Sequence, residues 1–122
     1  MAKYTFVVLT NPVAGKEDEY NRWYNDVHIP DVLNVPGFVA AQRFRLADAQ
    51  MAPAPIKHKY LALYEIETDD LAAALKDLRS RTGTADMVIS EAMDPADIGA
   101  FLFQPVAEKV QAKDVKRPRR AA

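Results

Sequence analysis

The chain has 122 residues, of which 49% are hydrophobic and 27% charged, with 16 lysines and arginines against 17 acidic residues. That composition makes one globular domain with enough apolar mass for its own core, and the near-neutral balance gives no reason to expect nucleic-acid binding. The lack of cysteine excludes disulfides, thiolate metal sites and cysteine nucleophiles, and it suits a reducing compartment.

The opening MAKYTFVVLT has a short apolar run without a small-residue cleavage site, so residues 3–10 read as a first strand, apolar on both faces. No segment approaches the roughly 20 apolar residues that cross a bilayer, so no membrane association is expected, and the cytoplasm is the default location. Asn11–Gly15 is a turn. Lys16–His28 follows as an amphipathic helix with Glu17, Asp18 and Glu19 at the positive end of its dipole. At about 100° per residue, Tyr20, Trp23, Tyr24, Val27 and His28 share one side of it. Pro30 disfavours helical geometry at Ile29, so the main helix should end near His28, with a short second turn through Val32 and Leu33.

Gly37–Leu46 is the second strand. The proline-bearing stretch 47–56 is a loop, and Lys57–Glu67 is the third strand, with Tyr60, Ala62, Tyr64 and Ile66 on one face. Thr68 or Asp69 should cap a helix over Asp70–Arg81 that stops before Gly83. Thr84–Glu91 reads as another short helix, and Ile98–Val106 as the last strand, carrying Phe101 and Phe103. The domain is expected over residues 1–107. Residues 108–122 form a tail with Lys113, Lys116, Arg117, Arg119 and Arg120 near its end, which should be flexible and solvated.

The order strand–helix–strand–strand–helix–strand predicts an α+β, ferredoxin-like βαββαβ fold: a four-stranded antiparallel sheet with helices on one face. Helices can cover only that face, yet several strands are apolar on both. A second copy would cover the other, so a homodimer closed by sheet-to-sheet packing is expected.

The run EYNRWYNDVHIPDVLNVPGFVAAQRFRL, with Trp23-Tyr24, His28-x-Pro30 and Pro36-Gly37-Phe38, resembles the first helix and second strand of EthD-like proteins of the dimeric α/β-barrel superfamily. The resemblance implies the same fold over residues 3 to about 107. It leaves activity open, because that superfamily holds cyclases, isomerases, monooxygenases, haem enzymes and proteins without known chemistry.

His28 is the leading catalytic candidate, since an imidazole moves protons near neutrality. The competing reading is a structural ring tying down the chain at the Pro30 break. Tyr24, one turn earlier, could hold a substrate oxygen or share a proton. Tyr20, Trp23, Arg43, Tyr60, Tyr64, Phe101 and Phe103 are candidate substrate-binding residues, each also readable as core or, for Arg43, as an ion pair. His58, beside Lys57 and Lys59, reads as surface. With two separated histidines and no cysteine, no metal and no cofactor is expected. These residues point to an enzyme of isomerase, cyclase or lyase type, working by proton transfer on an aromatic or polyketide-like hydrophobic small molecule. A non-catalytic ligand-binding dimer and a haem-using oxidoreductase, with His28 as axial ligand, are the alternatives.

Overall fold

A computed structural model describes residues 1–53 and 55–116; Arg117, Arg119 and Arg120 of the basic tail lie outside the described residues. The elements run β1 (Ala2–Thr10), α1 (Glu17–Trp23), α2 (Ile29–Leu33), β2 (Phe38–Arg45), β3 (Tyr60–Thr68), α3 (Leu71–Arg81) and β4 (Gly99–Phe103). The sheet order is β2-β3-β1-β4 with every neighbouring pair antiparallel, which is the ferredoxin-like arrangement expected from the sequence.

Register decides what each face carries. Phe6 lies opposite Tyr64 and Leu102, Val8 opposite Ala62 and Ala100, and Thr10 opposite Tyr60, and this face meets the helices. The other face carries Val7 opposite Leu63 and Phe101, and Leu9 opposite Leu61. A bulge between Phe38 and Ala40 resets the parity of β2, so Ala41, Arg43 and Arg45 line up with Tyr64, Ala62 and Tyr60 on the helix side. Just before it, Gly37 has φ +95°, and a Cβ there would stand 3.4 Å from the Glu67 carbonyl oxygen. Glycine suits that position sterically and conformationally.

The helix does not end at His28. It runs on from α1 into α2 through a π turn over Tyr24–His28, in which the Ile29 N–H donates to the Tyr24 carbonyl oxygen five residues back. Pro30 explains the widening. Inside a regular helix its ring would crowd the carbonyl four residues earlier and leave that carbonyl without its usual donor, and a π turn relieves both. The wider turn also corrects rotation. Residues four apart on an α-helix drift by about 40° per step, and the slower π rotation cancels part of that drift. Tyr20, Tyr24 and Val32 are accordingly all buried along one stripe, while Val27, expected on the same side, is 40% exposed.

Two further expectations change. Asp70, rather than Thr68 or Asp69, caps α3, its Oδ1 accepting the Ala73 N–H at 3.0 Å. Residues 84–91 form no helix. Thr84 Oγ1 donates to the Arg81 carbonyl oxygen at 2.6 Å and accepts the Asp86 N–H at 3.2 Å, while the Met87 carbonyl oxygen accepts the Gly83 N–H at 2.8 Å. Side-chain hydroxyls thus hold the backbone in successive turns instead of a helical ladder. Beyond β4 the described chain is exposed throughout, including a single 3₁₀ turn at Ala112–Asp114.

Candidate functional site

A cavity of about 250 Å³ lies between the sheet and the helices. Phe6, Val8, Thr10, Tyr64 and Ala100 line its sheet side, and Tyr24, His28 and Val32 its helical side. Leu78 and Thr82 from the end of α3, with Met87, Ile89, Met93 and Ile98 from the following loop, complete the wall. The lining is almost wholly apolar. Wider grooves along residues 46–59 and beside Lys3, Glu65 and Glu67 are lined largely by exposed side chains.

Among the described residues, two buried side-chain polar atoms have no hydrogen-bond partner: His28 Nδ1 and the Tyr64 hydroxyl. Both residues line this cavity. Because a buried polar group normally finds a partner, two orphans on residues that line one apolar space make it the candidate ligand site.

The π turn delivers His28, and its neighbours fix the ring. Trp23 stacks on it with centroids 4.8 Å apart, and Tyr24 meets it edge-on at 5.1 Å and 89°. Trp23 is itself pinned, its Nε1–H donating to the Val88 carbonyl oxygen at 3.0 Å. Burial, and secondarily the Arg43 cation, lower the imidazole's pKa to about 4. The ring is therefore neutral at physiological pH. Burial pushes the Tyr64 hydroxyl well above the usual phenol range, and the nearby Tyr24 hydroxyl adds to this. Burial likewise raises Tyr24. Tyr64 is thus a hydrogen-bond donor held in its neutral form. Tyr20, fully buried, shares a short hydrogen bond with Thr10 Oγ1 and so supports the cavity from behind.

Of the residues singled out in the sequence, His28, Tyr24 and Tyr64 come together at the cavity, and Trp23 and Tyr20 brace them. Arg43 is on the helix-side face of the sheet but does not line the cavity. Its Nη1 donates to Asn25 Oδ1 at 2.7 Å and its Nη2 to Asn21 Oδ1 at 2.9 Å, with the guanidinium carbon 4.3 Å from the Tyr24 ring centroid. Tyr60 does not line the cavity either, donating to Glu17 Oε2 at 2.5 Å and accepting from Asn21 Nδ2 at 3.0 Å. Phe101 and Phe103, expected as pocket walls, are instead on the opposite sheet face, 54% and 58% exposed. Their parity follows from pairing with Val7 and Thr5, which put Ala100 and Leu102 on the helix side. His58 is near the surface, its Nε2 3.1 Å from the Asp97 carbonyl oxygen. The residues that sequence reasoning missed are Thr10, Thr82 and the apolar loop residues Met87, Ile89 and Met93. Alternation along β1 could have pointed to Thr10; no local pattern marks the others.

No family model matches the chain, and no curated protein matches its sequence. Solved structures do share its fold. A provisionally assigned monooxygenase of Shewanella loihica PV-4 aligns over 88% of this chain and 97% of its own, with TM-score 0.58 at 14% identity. MhuD, a haem degrader of Mycobacterium tuberculosis solved with two haems in its active site, aligns over 88% and 99%, with TM-score 0.53 at 17% identity. HapK of Hahella chejuensis aligns over 92% and 100%, with TM-score 0.53 at 18% identity. The chain thus shares the ferredoxin-like fold of these proteins, the fold that the sequence predicts.

Proposed function

We propose that the protein is a proton-transfer enzyme acting without a cofactor on a small, planar, hydrophobic molecule bearing a carbonyl or phenolic oxygen. The observation that carries this reading is the pair of unpartnered polar atoms, His28 Nδ1 and Tyr64 Oη, on two residues that line one apolar cavity. A carbon acid next to a carbonyl would give its proton to His28 Nδ1, the imidazole carrying its other proton on Nε2. The C–H electron pair becomes the enolate double bond, and the carbonyl oxygen takes up the negative charge while accepting a hydrogen bond from Tyr64. Although His28 is a weak base in the empty cavity, the enolate formed beside it stabilises the imidazolium in the same step. Returning the proton to another atom gives isomerisation or cyclisation with no net change in atoms. Tyr24 shapes the helical wall, and the exposed apolar sheet face supports a working homodimer.

2-Tetralone is a suitable probe because its enol resembles 2-naphthol, a bicyclic phenol. Deuterium exchange at its C1 in D₂O should be accelerated by the protein, and His28→Ala should cut that rate by about 100-fold or more. Quenching of Trp23, the single tryptophan, should show 2-naphthol binding about tenfold more tightly than naphthalene, a preference lost in Tyr64→Phe. Equal exchange by wild type and His28→Ala would sink the proposal.

Haem binding is the second reading, because the fold is shared with MhuD and an imidazole nitrogen without a partner is a possible iron ligand. Pockets for drug-sized ligands span about 300–1,000 Å³, and a tetrapyrrole needs more than the lower bound, whereas this cavity holds about 250 Å³. A Soret band after incubation with haemin, lost in His28→Ala, would favour haem over the proton-transfer reading.

A further inference from the structure

Arg43 is the cation whose charge acts on the proposed base, yet it does not line the cavity. Its guanidinium reaches across from β2 and takes one acceptor before the π turn, Asn21, and one inside it, Asn25. Its flat face lies 4.3 Å from the Tyr24 ring centroid, with the Tyr60 and Tyr20 centroids at 5.3 and 5.4 Å. Tyr24 in turn sets its edge against His28. The chain of contact is therefore Arg43, then Tyr24 and the π turn, then His28. A planar fork suits this task, because two parallel donors fix both the spacing of the asparagines and the plane over the tyrosine.

We propose that Arg43 is a positioning residue: by bridging Asn21 and Asn25 across the start of the π turn and covering Tyr24, it sets how deeply His28 sits in the cavity wall. This rests on the proton-transfer reading of the same cavity. A lysine would keep the positive charge but has no fork, so it could hold one asparagine and not both. Removing either arm lets the π turn relax and water reach the imidazole. The groups facing His28 are Trp23 and Tyr24 from its own helix, Tyr64 from β3, Thr82 from the end of α3, and the Arg43 charge from β2. No carboxylate among the described residues contributes to its titration.

The test is an NMR titration of the His28 ring, with 2-naphthol affinity measured alongside, in wild type, Arg43→Lys and Asn25→Ala. Asn25 is exposed, so its variant removes one arm without opening the core. Both variants should raise the His28 pKa by about one unit and weaken 2-naphthol by about tenfold. Loss of stability with an unchanged His28 titration and unchanged affinity would reduce Arg43 to scaffolding and overturn the inference. A wild-type titration in Arg43→Lys, with a shift only in Arg43→Met, would assign the effect to charge alone and also overturn it. Equal 2-tetralone exchange by wild type and His28→Ala would defeat the proton-transfer reading while the His28 titration still reports on Arg43, so the two failures stay distinct.

Discussion

The protonation of His28 is tied to folding as well as to chemistry. Its folded pKa is lowered from 6.5 to about 4 because burial penalises the charged ring. Between those values the unfolded chain binds a proton that the folded chain refuses. Stability is therefore full above about pH 6.5 and is lost as the pH falls toward 4, where the folded ring begins to titrate. At about 1.4 kcal/mol per unit of pKa difference, the loss between pH 6.5 and 5 should be about 1–2 kcal/mol. Urea titrations of wild type and His28→Gln over that interval isolate the effect, since most carboxylates remain ionised there. Identical slopes for the two proteins would mean that the ring is solvated. At this scale the sequence was informative about identity and less so about depth. The aromatic helix and its histidine stood out, and alternation placed Tyr64 inward. The π turn, which settles how His28 meets Tyr24, was not visible, because no spacing rule distinguishes a widened turn from a helix that stops at proline. For Arg43 alternation gave the face, but not the pair of asparagines that occupies it.

Among the elements, the loop between α3 and β4 is the least regular part of the cavity wall. Backbone bonds tie it to the first turn, with the Val13 N–H donating to the Ala92 carbonyl oxygen at 2.7 Å and the Asp94 N–H to the Asn11 carbonyl oxygen at 2.9 Å. Side chains add the Trp23 indole on Val88 and the His58 ring on Asp97. Trp23→Phe keeps an aromatic ring for His28 to stack against but removes that donor, leaving the Val88 carbonyl oxygen without it. The expected result is a stability loss of about 1–3 kcal/mol, from the hydrogen bond and the smaller ring together. Amide exchange should accelerate within residues 84–91 more than in the sheet, and a uniform acceleration would show that the indole serves the whole core instead. This loop also shows why part of the fold escaped prediction. Thr84 and Ser90 punctuate a segment with a helix-like apolar spacing, and their hydroxyls bond to the local backbone, so propensity lost to turn chemistry. The strands, by contrast, were readable to within a few residues at each end, because alternating burial leaves a direct mark on sequence.

For the whole molecule, the outer sheet face remains to be explained. Val7, Leu9, Phe44, Leu61, Leu63, Phe101 and Phe103 fall on it by register, with Phe44, Phe101 and Phe103 more than a third exposed. A contiguous apolar surface of this kind is unusual on a monomer and ordinary at an interface. The same parity that removes Phe101 and Phe103 from the cavity puts them on the face proposed to pair with a second copy. Each would bury its ring against the partner's sheet, and two-fold symmetry counts each one twice per dimer. Burying a Phe side chain is worth about 1.5–3 kcal/mol, so a single Phe101→Asp change removes at least about 3 kcal/mol from the dimer, before the cost of burying a carboxylate. Sedimentation equilibrium should give a dimer for wild type at micromolar concentration, and Phe101→Asp should weaken association by about a hundredfold or more. Because Phe101 lies away from the helices, the variant should keep its near-UV spectrum and its affinity for 2-naphthol. A wild-type chain that sediments as a monomer at tens of micromolar would leave the outer face without its proposed partner. A Phe101→Asp variant that lost 2-naphthol binding along with dimerisation would instead tie the cavity's integrity to the assembled pair.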